Sequence, residues 1–354
     1  MFLKSLKLVN FRSYRNLGFE FSAPITILVG KNAQGKSNFL EGIYYLATAK
    51  SVRAGREEEL IKQGSDFLRV AGQVEAGDTK TELEVAMQNL VGRLKKRVKL
   101  NGIARKVSEY AGNLAAVLFS PEDINLVSGA PSLRRYFIDQ ILSQIDRDYR
   151  KALSSYENLL TRKNRVLKRV REGIGRRDEL DYWSDAQLVL GAAIVRKREE
   201  FFAFINSSGQ KLGNFEYEYL ESQISLERLR QYREREVEAA ASLIGPHRDD
   251  FLFKLNGQNL AKFGSRGEMR TAVLDLKLAE VSFIENSLGF RPVLLLDDIF
   301  SELDLEHRRH VVALSALQQT VISTVELDEA LKRDFNKASL YFVENGQISS
   351  IAGK

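Results

Sequence analysis

The sequence contains no cysteine and only three histidines among 354 residues. Without cysteine the chain has no disulfide, no thiolate metal site and no cysteine nucleophile, and the scattered histidines give a zinc site no support. No apolar run reaches the ~18 residues needed to span a bilayer, and the N-terminus, MFLKSLKLVNFRSYRN, lacks the apolar core of a secretory signal. We therefore expect an unprocessed protein of the reducing cytoplasm.

Periodicity divides the chain into three parts. Residues 1 to about 118 alternate as strands do, and Ile25–Val29 is a short apolar run typical of a buried strand. From Pro121 to about Ser207 apolar residues recur every three or four positions, which predicts one long amphipathic helix through residues 133–160 and a second helix antiparallel to it. The last third returns to strands and helices. We predict one α/β domain, residues 1–120 and 208–354, interrupted by a helical lobe at residues 121–207.

The strongest motif is GKNAQGKS at Gly30–Ser37, which fits the pattern G-x-x-x-x-G-K-[ST] between an apolar strand and a helix. Its backbone N–H groups and the helix N-terminus would cradle phosphates. Lys36 would reach the β- and γ-phosphates of ATP, and Ser37 would ligate Mg²⁺. The alternative is a glycine turn that binds no nucleotide. The predicted nucleotide-binding residues of this loop are Gly30, Lys31, Asn32, Ala33, Gln34, Gly35, Lys36, Ser37 and Asn38.

A second motif lies far downstream, where the apolar strand Val293–Leu296 ends in two carboxylates. Ligands of open α/β sheets bind at the carboxyl ends of the strands. We expect Asp297 to hold Mg²⁺, directly or through water, and Asp298 to orient or deprotonate the attacking water. Asp298 and the phosphate-binding Lys36 are the predicted catalytic residues. A strand that ends in a helix-capping aspartate is the alternative.

A third motif, GSRGEMR at Gly264–Arg270, opens a long helical pattern. A glycine-bearing helix start is another anion site, and a second one in the same chain is explained if it serves the nucleotide of a partner chain. Taken alone, the motif is better explained by an ordinary capping box, with Ser265 as the N-cap and Glu268 three residues later.

Together these motifs resemble the ABC-type ATPase heads of SMC proteins and their repair relatives, and in detail the RecF family of recombination mediators. The resemblance covers essentially the whole chain. It rests on GKNAQGKS, SRGEMR, LLLDD and SELD, and on the segments LVNFRSY, PEDINLVSGAPSLRRYFID, GPHRDD and RTAVLDLKLAE. Only about 90 residues form the helical lobe, too few for the long coiled coils of SMC proteins.

The resemblance implies an ABC-type head, a P-loop mixed sheet with an antiparallel β part and an inserted helical lobe. It implies an ATP-dependent homodimer in which Ser265, Gly267 and Glu268 of one subunit face the γ-phosphate on the other. Arg12 and Ser13 would lie near the adenine or phosphates, and Ser301–Asp304 would be the D-loop. The implied activity is slow ATP hydrolysis by a protein that binds duplex or ssDNA–dsDNA junctions and acts with RecR, RecO and RecA.

Three departures from the family pattern favour a slow switch over a fast motor. Glu268 replaces a glutamine, Asp298 replaces a longer glutamate, and no histidine follows the strand that ends at Thr324, which leaves this threonine as a substitute. The glutamine loop of such heads has two candidates, Gln63 and Gln73, and no pattern separates them.

Two clusters of basic residues predict contact with the DNA backbone. Seven cations and no acid lie between Leu90 and Val107, around an Asn101-Gly102 hairpin turn, and eight cations with one acid lie between Arg162 and Arg177. No aromatic residue interleaves them, which favours duplex or junction over single strands; a guarded edge strand and a solvated helix end are the alternatives. The predicted DNA-binding residues are Lys95, Lys96, Arg97, Lys99, Arg165, Lys168 and Arg169.

Two other functions fit parts of this pattern. A nucleotide-binding subunit of a transporter would need a coupling partner and leaves the basic clusters unexplained, and a structural clamp would bind ATP without hydrolysing it. His247, in the turn GPHRDD, is expected to cap this turn or to pair with Asp249 or Asp250.

Overall fold

The computed structural model describes residues 1–90, 93–208 and 212–351. Strands in these ranges are β1 (Phe2–Phe11), β2 (Tyr14–Glu20), β3 (Ile25–Val29), β4 (Phe67–Ala76), β5 (Thr79–Leu90), β6 (Arg93–Leu100), β7 (Ile103–Arg105), β8 (Ala116–Phe119), β9 (Phe215–Leu220), β10 (Asp250–Leu255), β11 (Gln258–Asn259), β12 (Val293–Asp297), β13 (Thr320–Thr324), β14 (Ser339–Glu344) and β15 (Gln347–Ser350).

The α-helices are α1 (Lys36–Thr48), α2 (Val107–Tyr110), α3 (Asn125–Ser128), α4 (Pro131–Ile145), α5 (Arg147–Arg171), α6 (Glu179–Ser207), α7 (Leu226–Ala239), α8 (Leu260–Phe263), α9 (Arg266–Leu288), α10 (Leu305–Ser315) and α11 (Glu329–Asp334). Short 3-10 turns lie at Glu57–Leu60, Pro121–Ile124, Pro246–Arg248 and Ile299–Ser301. Within the described residues, none of the helices has the length and apolarity required to cross a membrane.

The chain divides into two compact units, and the first comprises residues 1–123 with those from 280 onward. It contains a sheet in the order β15-β14-β3-β13-β12-β8, in which all strands but the edge strand β15 run parallel. A second, antiparallel sheet follows the order β2-β1-β4-β5-β6-β7. The fold is thus mixed α/β with parallel and antiparallel sheets, as predicted for an ABC-type head.

Helix α1 forms the centre of the first unit because it contacts strands of both sheets. Its residues Phe39, Leu40 and Ile43 are fully buried in one apolar cluster with side chains of both sheets. Parallel strands covered on both faces read as continuous apolar runs, which is why β12 is buried along its whole length. This packing fixes the start of α1, and with it the phosphate loop.

The second unit comprises residues 124–279. Helices α5 and α6 pack along each other, α7 packs on both, and β11, β10 and β9 form a small antiparallel sheet. The predicted single helix through residues 133–160 is wrong: Asp146 is extended (ψ 113°), ends α4 and caps α5 by accepting the N–H groups of Asp148 and Tyr149. An aspartate that bonds to the following backbone competes with helix continuation, although the apolar period runs through it.

The partition differs from the predicted domains at one boundary. The predicted boundary at 120 lies close to the observed 123, whereas residues 208–279, which we assigned to the ATPase part, belong to the compact unit of the helices. Strand alternation alone does not tell which unit a strand joins, since β9 and β10 pair with each other and β9 packs on α6. The assignment of functional domains stays a prediction.

Candidate nucleotide-binding and nucleic-acid sites

The phosphate loop connects β3 to α1, in the first unit. Ala33 and Gly35 have positive φ angles of 63° and 114°, and the curled backbone ends at the helix start. A Cβ atom on Gly30 would lie 2.3 Å from the carbonyl oxygen of Val343, and one on Gly35 would lie 2.9 Å from Ser13 Oγ. At both positions a side chain would collide with a neighbouring atom, so glycine is required. At Gly35 the positive φ angle requires it as well.

Three hydrogen bonds hold the apex of the loop. Tyr14 Oη donates to the carbonyl oxygen of Gly35 at 2.9 Å. From the β14–β15 turn, the N–H of Gly346 donates to the carbonyl oxygen of Gln34 at 3.1 Å, and the N–H of Asn345 donates to Gln34 Oε1 at 2.8 Å. The loop conformation is thus set by the protein itself, which leaves less to be ordered when a phosphate binds.

Lys36 lies inside the loop that it closes. Its Nζ donates to the carbonyl oxygens of Gly30 at 2.6 Å and Lys31 at 2.9 Å. Burial lowers the pKa of Lys36, while the nearby carboxylates of Asp298 and Asp297 oppose this shift. A buried cation bound to carbonyl oxygens is well suited to receive a phosphate oxygen.

Ser37 and Asp297 are 260 positions apart in sequence and in direct contact. Ser37 Oγ donates to Asp297 Oδ1 at 2.9 Å, and Ser323 of the neighbouring strand β13 donates to the same oxygen. Hydroxyl and carboxylate oxygens are the ligands that Mg²⁺ prefers, so this pair fits the metal that accompanies ATP. The structure brings these two predicted metal ligands together.

Sequence reasoning missed two residues of this site. Arg53 forms an ion pair with Asp297 Oδ2, and its guanidinium lies 3.6 Å from Glu122 Oε2. The pKa of Arg53 is raised because the attraction of Asp297 and Glu122 outweighs its burial. Arg53 belongs to no periodic or glycine-rich pattern, and Glu122 lies in the segment PEDINLVSGAP, whose sequence does not show that it reaches this site.

Glu122 also bears on the unplaced glutamine loop. In the first unit, β8 is one of the two parallel strands beside β12, and it is followed by Ser120, Pro121 and Glu122. Neither earlier candidate occupies such a position: Gln73 pairs with Ser5 inside the antiparallel sheet, and Gln63 lies in the loop before β4. Glu122 does follow a parallel strand of this sheet, and the place of the glutamine loop stays a prediction.

Asp298 follows β12 in a left-handed conformation, with φ 52°. Burial raises the pKa of its carboxyl, and the ammonium of Lys36 opposes this shift. A carboxyl held near a cation at a strand end is placed to accept a proton from water. The hydroxyl of Thr324, the suggested substitute for a switch histidine, donates to the carbonyl oxygen of Glu326 at 2.8 Å.

The segment predicted as the D-loop, Ser301–Asp304, ends by capping α10. Asp304 Oδ1 accepts the N–H groups of Glu306 at 3.0 Å and His307 at 2.9 Å. The next side chain, Leu305, is 76% exposed. The role of this segment between subunits stays a prediction.

Ser13 lies at the loop, whereas Arg12 is paired with a residue of α1. Its guanidinium binds both carboxylate oxygens of Glu41, at 2.9 and 3.1 Å, and Glu41 is buried in α1. Ser13 Oγ accepts from Asn38 Nδ2 at 3.0 Å. The predicted contact of Arg12 and Ser13 with nucleotide therefore stays a prediction, with Ser13 adjoining the loop.

The signature residues lie in the second unit and form a capping box. The N–H and the hydroxyl of Ser265 each donate to Glu268 Oε2 at 2.8 Å, and the N–H of Glu268 reaches Ser265 Oγ at 3.3 Å. These bonds lower the pKa of Glu268. The capping-box interpretation is thus confirmed, and it coexists with an exposed helix N-terminus at Gly267.

The predicted pairing of His247 with Asp249 or Asp250 is wrong, whereas its ring does bind the backbone just before the turn. His247 Nδ1 contacts Tyr156 Oη at 2.9 Å, and Nε2 contacts the carbonyl oxygen of Ser242 at 3.0 Å. The two aspartates are taken by arginines instead: Arg198 Nη1 binds Asp249 at 2.7 Å, and Arg134 Nε binds Asp250 at 2.6 Å. A guanidinium can use both carboxylate oxygens, which imidazole cannot.

The first basic cluster lies on the antiparallel sheet. The hairpin turn has positive φ at Asn101 and Gly102, as predicted. Lys95 and Arg97 are exposed on β6, whereas Lys96 binds Glu57 and the carbonyl oxygen of Ala49, and Lys99 binds Glu84 at 2.8 Å. Two cations of this predicted set are therefore engaged within the protein.

An aromatic side chain from another strand shares this sheet face, although none interleaves the basic cluster along the chain. Phe67 pairs with Gln88, and Gln88 pairs with Lys95, so these three side chains form a cross-strand row on one face. Phe67 is 47% exposed. Sequence proximity could not reveal this neighbour because it comes from β4.

The second basic cluster, on α5 and the following turn, is largely neutralised. Arg165, Lys168 and Arg169 are exposed, but Lys168 lies 3.9 Å from Glu172 and Arg169 lies 3.6 Å from Glu179. Lys163 is buried against Glu236 at 2.7 Å. Helices α6 and α7 supply further acidic residues. The count of charges between Arg162 and Arg177 in the sequence did not include them.

Known families and proteins resemble this chain over nearly its whole length. The model of the RecF/RecN/SMC N-terminal domain matches residues 2–348. The DNA replication and repair proteins RecF of Geobacillus thermodenitrificans and Ligilactobacillus salivarius are 35% and 36% identical, over 99% of this chain and 100% and 97% of theirs.

Solved structures agree with this result. A structure of the recombination mediator protein RecF–ATP in the RecFOR pathway superposes with a TM-score of 0.89 and 29% identity, covering 99% of this chain and 98% of that one. An Smc head domain of Pyrococcus furiosus reaches a TM-score of 0.52 at 18% identity over 99% and 96%, which is a likeness of fold alone.

The fold, the phosphate loop and the Ser37–Asp297 contact define an ABC-type ATPase head of the kind that SMC proteins share. Within that class, the chain belongs to the RecF family of DNA replication and repair proteins.

Proposed function

We propose that this protein is an ATP-switched, DNA-binding homodimer that hydrolyses ATP slowly. The contact of Ser37 with Asp297 carries the proposal. It places the two proposed Mg²⁺ ligands next to the Lys36 loop, which would bind the phosphates. The RecF–ATP structure, to which the chain is similar over its length, supports ATP as the nucleotide.

Each residue of the site has a distinct task in this proposal. Loop N–H groups and Lys36 bind the β- and γ-phosphates, and Ser37 and Asp297 hold Mg²⁺, which neutralises phosphate charge when bound. Asp298 orients the attacking water and accepts its proton. Ser265, Gly267 and Glu268 of a second copy face the γ-phosphate and complete the site.

We further propose that the dimer binds duplex DNA or ssDNA–dsDNA junctions in the cytoplasm and acts with RecO and RecR to load RecA. The exposed Lys95 and Arg97 support contact with a phosphate backbone. The similar solved structures are of a recombination mediator in the RecFOR pathway, which supports these partners. A transporter subunit leaves this basic sheet face without a role.

A clamp that binds ATP without hydrolysing it is the second candidate. The short side chain of Asp298 favours it, as does the hydroxyl of Thr324, which donates to the Glu326 carbonyl oxygen. Turnover decides between the two.

Sedimentation with and without ATP, combined with phosphate release with and without duplex DNA, tests the proposal. We expect the wild type to dimerise with ATP and to release phosphate slowly, and Lys36→Met to do neither, because the loop loses its buried cation for phosphate. Lys80→Met, at a side chain 79% exposed on β5, is the matched control. If the wild type dimerises with ATP but releases no more phosphate than Lys36→Met does, the non-hydrolysing clamp is the function that remains. If the wild type stays a monomer in ATP, the ATP switch is refuted.

A further inference from the structure

A cavity of about 230 Å³ lies in the second unit immediately before the signature helix α9. It is lined by the end of the β10–β11 hairpin, by α8 and by Glu268 of the capping box. The function derived so far gives this cavity no role, although it adjoins the Ser265–Gly267 segment.

An exposed aromatic ring forms part of the wall. Phe263 ends α8, two residues before Ser265, and is 73% exposed. A phenylalanine side chain exposed to water lacks the stabilisation that burial ordinarily gives to an aromatic ring. An unburied ring at the edge of a cavity offers a flat surface on which another ring can stack.

Three carboxamide side chains line the same cavity: Asn256, Gln258 and Asn259. Asn256 Oδ1 accepts from Asn214 Nδ2 at 3.1 Å, and Asn259 Oδ1 accepts the N–H of Ala261 at 2.9 Å. In the described part of the chain, neither Asn256 nor Asn259 uses its own Nδ2 as a donor to the protein. These groups can therefore hydrogen-bond to a ligand.

The charge of the lining restricts the ligand. Glu268 is the one ionisable residue among the described residues that line the cavity, and neither lysine nor arginine is present among them. A polyanionic DNA backbone is disfavoured there. A neutral heteroaromatic ring with donors and acceptors at its edge matches both the ring and the carboxamides, since asparagine and glutamine pair well with the edge of adenine.

We propose that this cavity binds the purine base of the ATP molecule held in the phosphate loop of a second copy of the chain. Phe263 stacks on the base, and the carboxamides of Gln258 and Asn259 hydrogen-bond to its edge. The inference rests on the proposed function, in which Ser265 and Gly267 face the triphosphate of the same nucleotide.

The substitution Phe263→Ala tests the proposal, with two separate measurements. We expect the protein concentration needed for half-dimerisation in saturating Mg²⁺-ATP, measured by sedimentation, to rise at least fivefold. Binding of a fluorescent ATP analogue to the dilute monomer stays unchanged, since the phosphate loop is intact. Phe263→Trp, which keeps a ring, retains dimerisation.

The matched control is Tyr182→Ala, which removes an aromatic side chain that is 70% exposed in the same unit. Inorganic tripolyphosphate, which has no base, supplies a second comparison: ATP drives dimerisation of the wild type better than tripolyphosphate does, and Phe263→Ala loses this advantage. Gln258→Ala, at an exposed position, gives an independent variant if Phe263→Ala folds poorly.

The outcomes separate the two levels of inference. If wild type dimerises with ATP and both Phe263→Ala and Gln258→Ala dimerise equally well, the base pocket is refuted and the switch stands. If wild type stays monomeric in ATP, the switch is refuted. The base pocket is then refuted as well, because it requires the dimer.

Discussion

Ser265 donates both its backbone N–H and its hydroxyl to a single carboxylate oxygen of Glu268, at 2.8 Å each. The first turn of the signature helix therefore carries a carboxylate, that of Glu268, which stabilises the positive end of the helix dipole. In the proposed dimer the same end of the helix faces the triphosphate of the partner. Glu268 must then share this position with phosphate charge of the same sign.

Replacing Glu268 by glutamine removes this repulsion. The carboxamide oxygen still accepts the Ser265 N–H, so the capping box survives. We expect Glu268→Gln to tighten ATP-driven dimerisation several-fold in sedimentation experiments, with a melting temperature close to that of wild type. Glu199→Gln, at an exposed position of α6, controls for the change of one surface charge. Weaker dimerisation of Glu268→Gln would show that the carboxylate itself assists engagement.

Asp298 offers a way to separate binding from turnover. Asparagine keeps the size of the side chain but cannot accept a proton, so we expect Asp298→Asn to bind ATP and dimerise like wild type while phosphate release falls at least tenfold. The dimer then persists after excess ATP is removed. Asp66→Asn, an exposed aspartate beside β4, is the control. Loss of ATP-driven dimerisation in Asp298→Asn would assign this carboxylate to assembly and contradict its catalytic role.

The two basic clusters are expected to contribute unequally to DNA binding. Each phosphate contact contributes about 0.9 to the slope of log K against log salt. We expect Lys95→Ala with Arg97→Ala to lower the slope for duplex DNA by about 1.8.

The triple substitution of Arg165, Lys168 and Arg169 by alanine should lower this slope by only about 1, since two of these cations lie within 4 Å of carboxylates. Lys332→Ala with Arg333→Ala, on α11, removes two exposed charges as a control. If the triple variant flattens the slope more than the double one, the second basic cluster is the main DNA contact.

His247 makes stability depend on pH. Burial lowers its pKa from 6.5 to about 4, and the nearby cations Arg248, Lys163 and Arg135 add to this shift. The folded state thus binds this proton less readily than the unfolded state, so stability is fully present above pH 6.5 and is lost as the pH falls towards 4.

Urea unfolding of wild type and His247→Gln at pH 7 and pH 5 measures this contribution. Between these two values, wild type should lose about 1–2 kcal/mol more than His247→Gln does. His310→Gln, at a histidine of α10, is the control for the loss of one imidazole. Equal losses in wild type and His247→Gln would show that the imidazole titrates alike in both states.

The nucleotide site was largely predictable because each of its motifs is contiguous. A glycine loop between an apolar strand and a helix has few possible conformations, and carboxylates after a buried strand lie at the same sheet edge. The contact between Ser37 and Asp297 follows from these two rules despite the long separation in sequence.

What the sequence did not reveal depends on pairing between distant elements. Arg53 reaches Asp297 only through the path of the chain after α1. Lys163 looked like part of a basic cluster, yet Glu236, 73 residues away, neutralises it in the interior. The break at Asp146 depends on two side-chain-to-backbone hydrogen bonds that periodicity does not reveal.

The hydrogen bonds from Asn345 and Gly346 to Gln34 bear on how the protein is made. A ribosome completes the phosphate loop early, but the turn that fixes its apex emerges 311 residues later. Until then the carbonyl oxygen of Gln34 lacks its partner and Gly30 lacks the neighbouring strand β14. A nascent chain that has not reached residue 346 should therefore fail to bind ATP, and nucleotide should join only the finished fold.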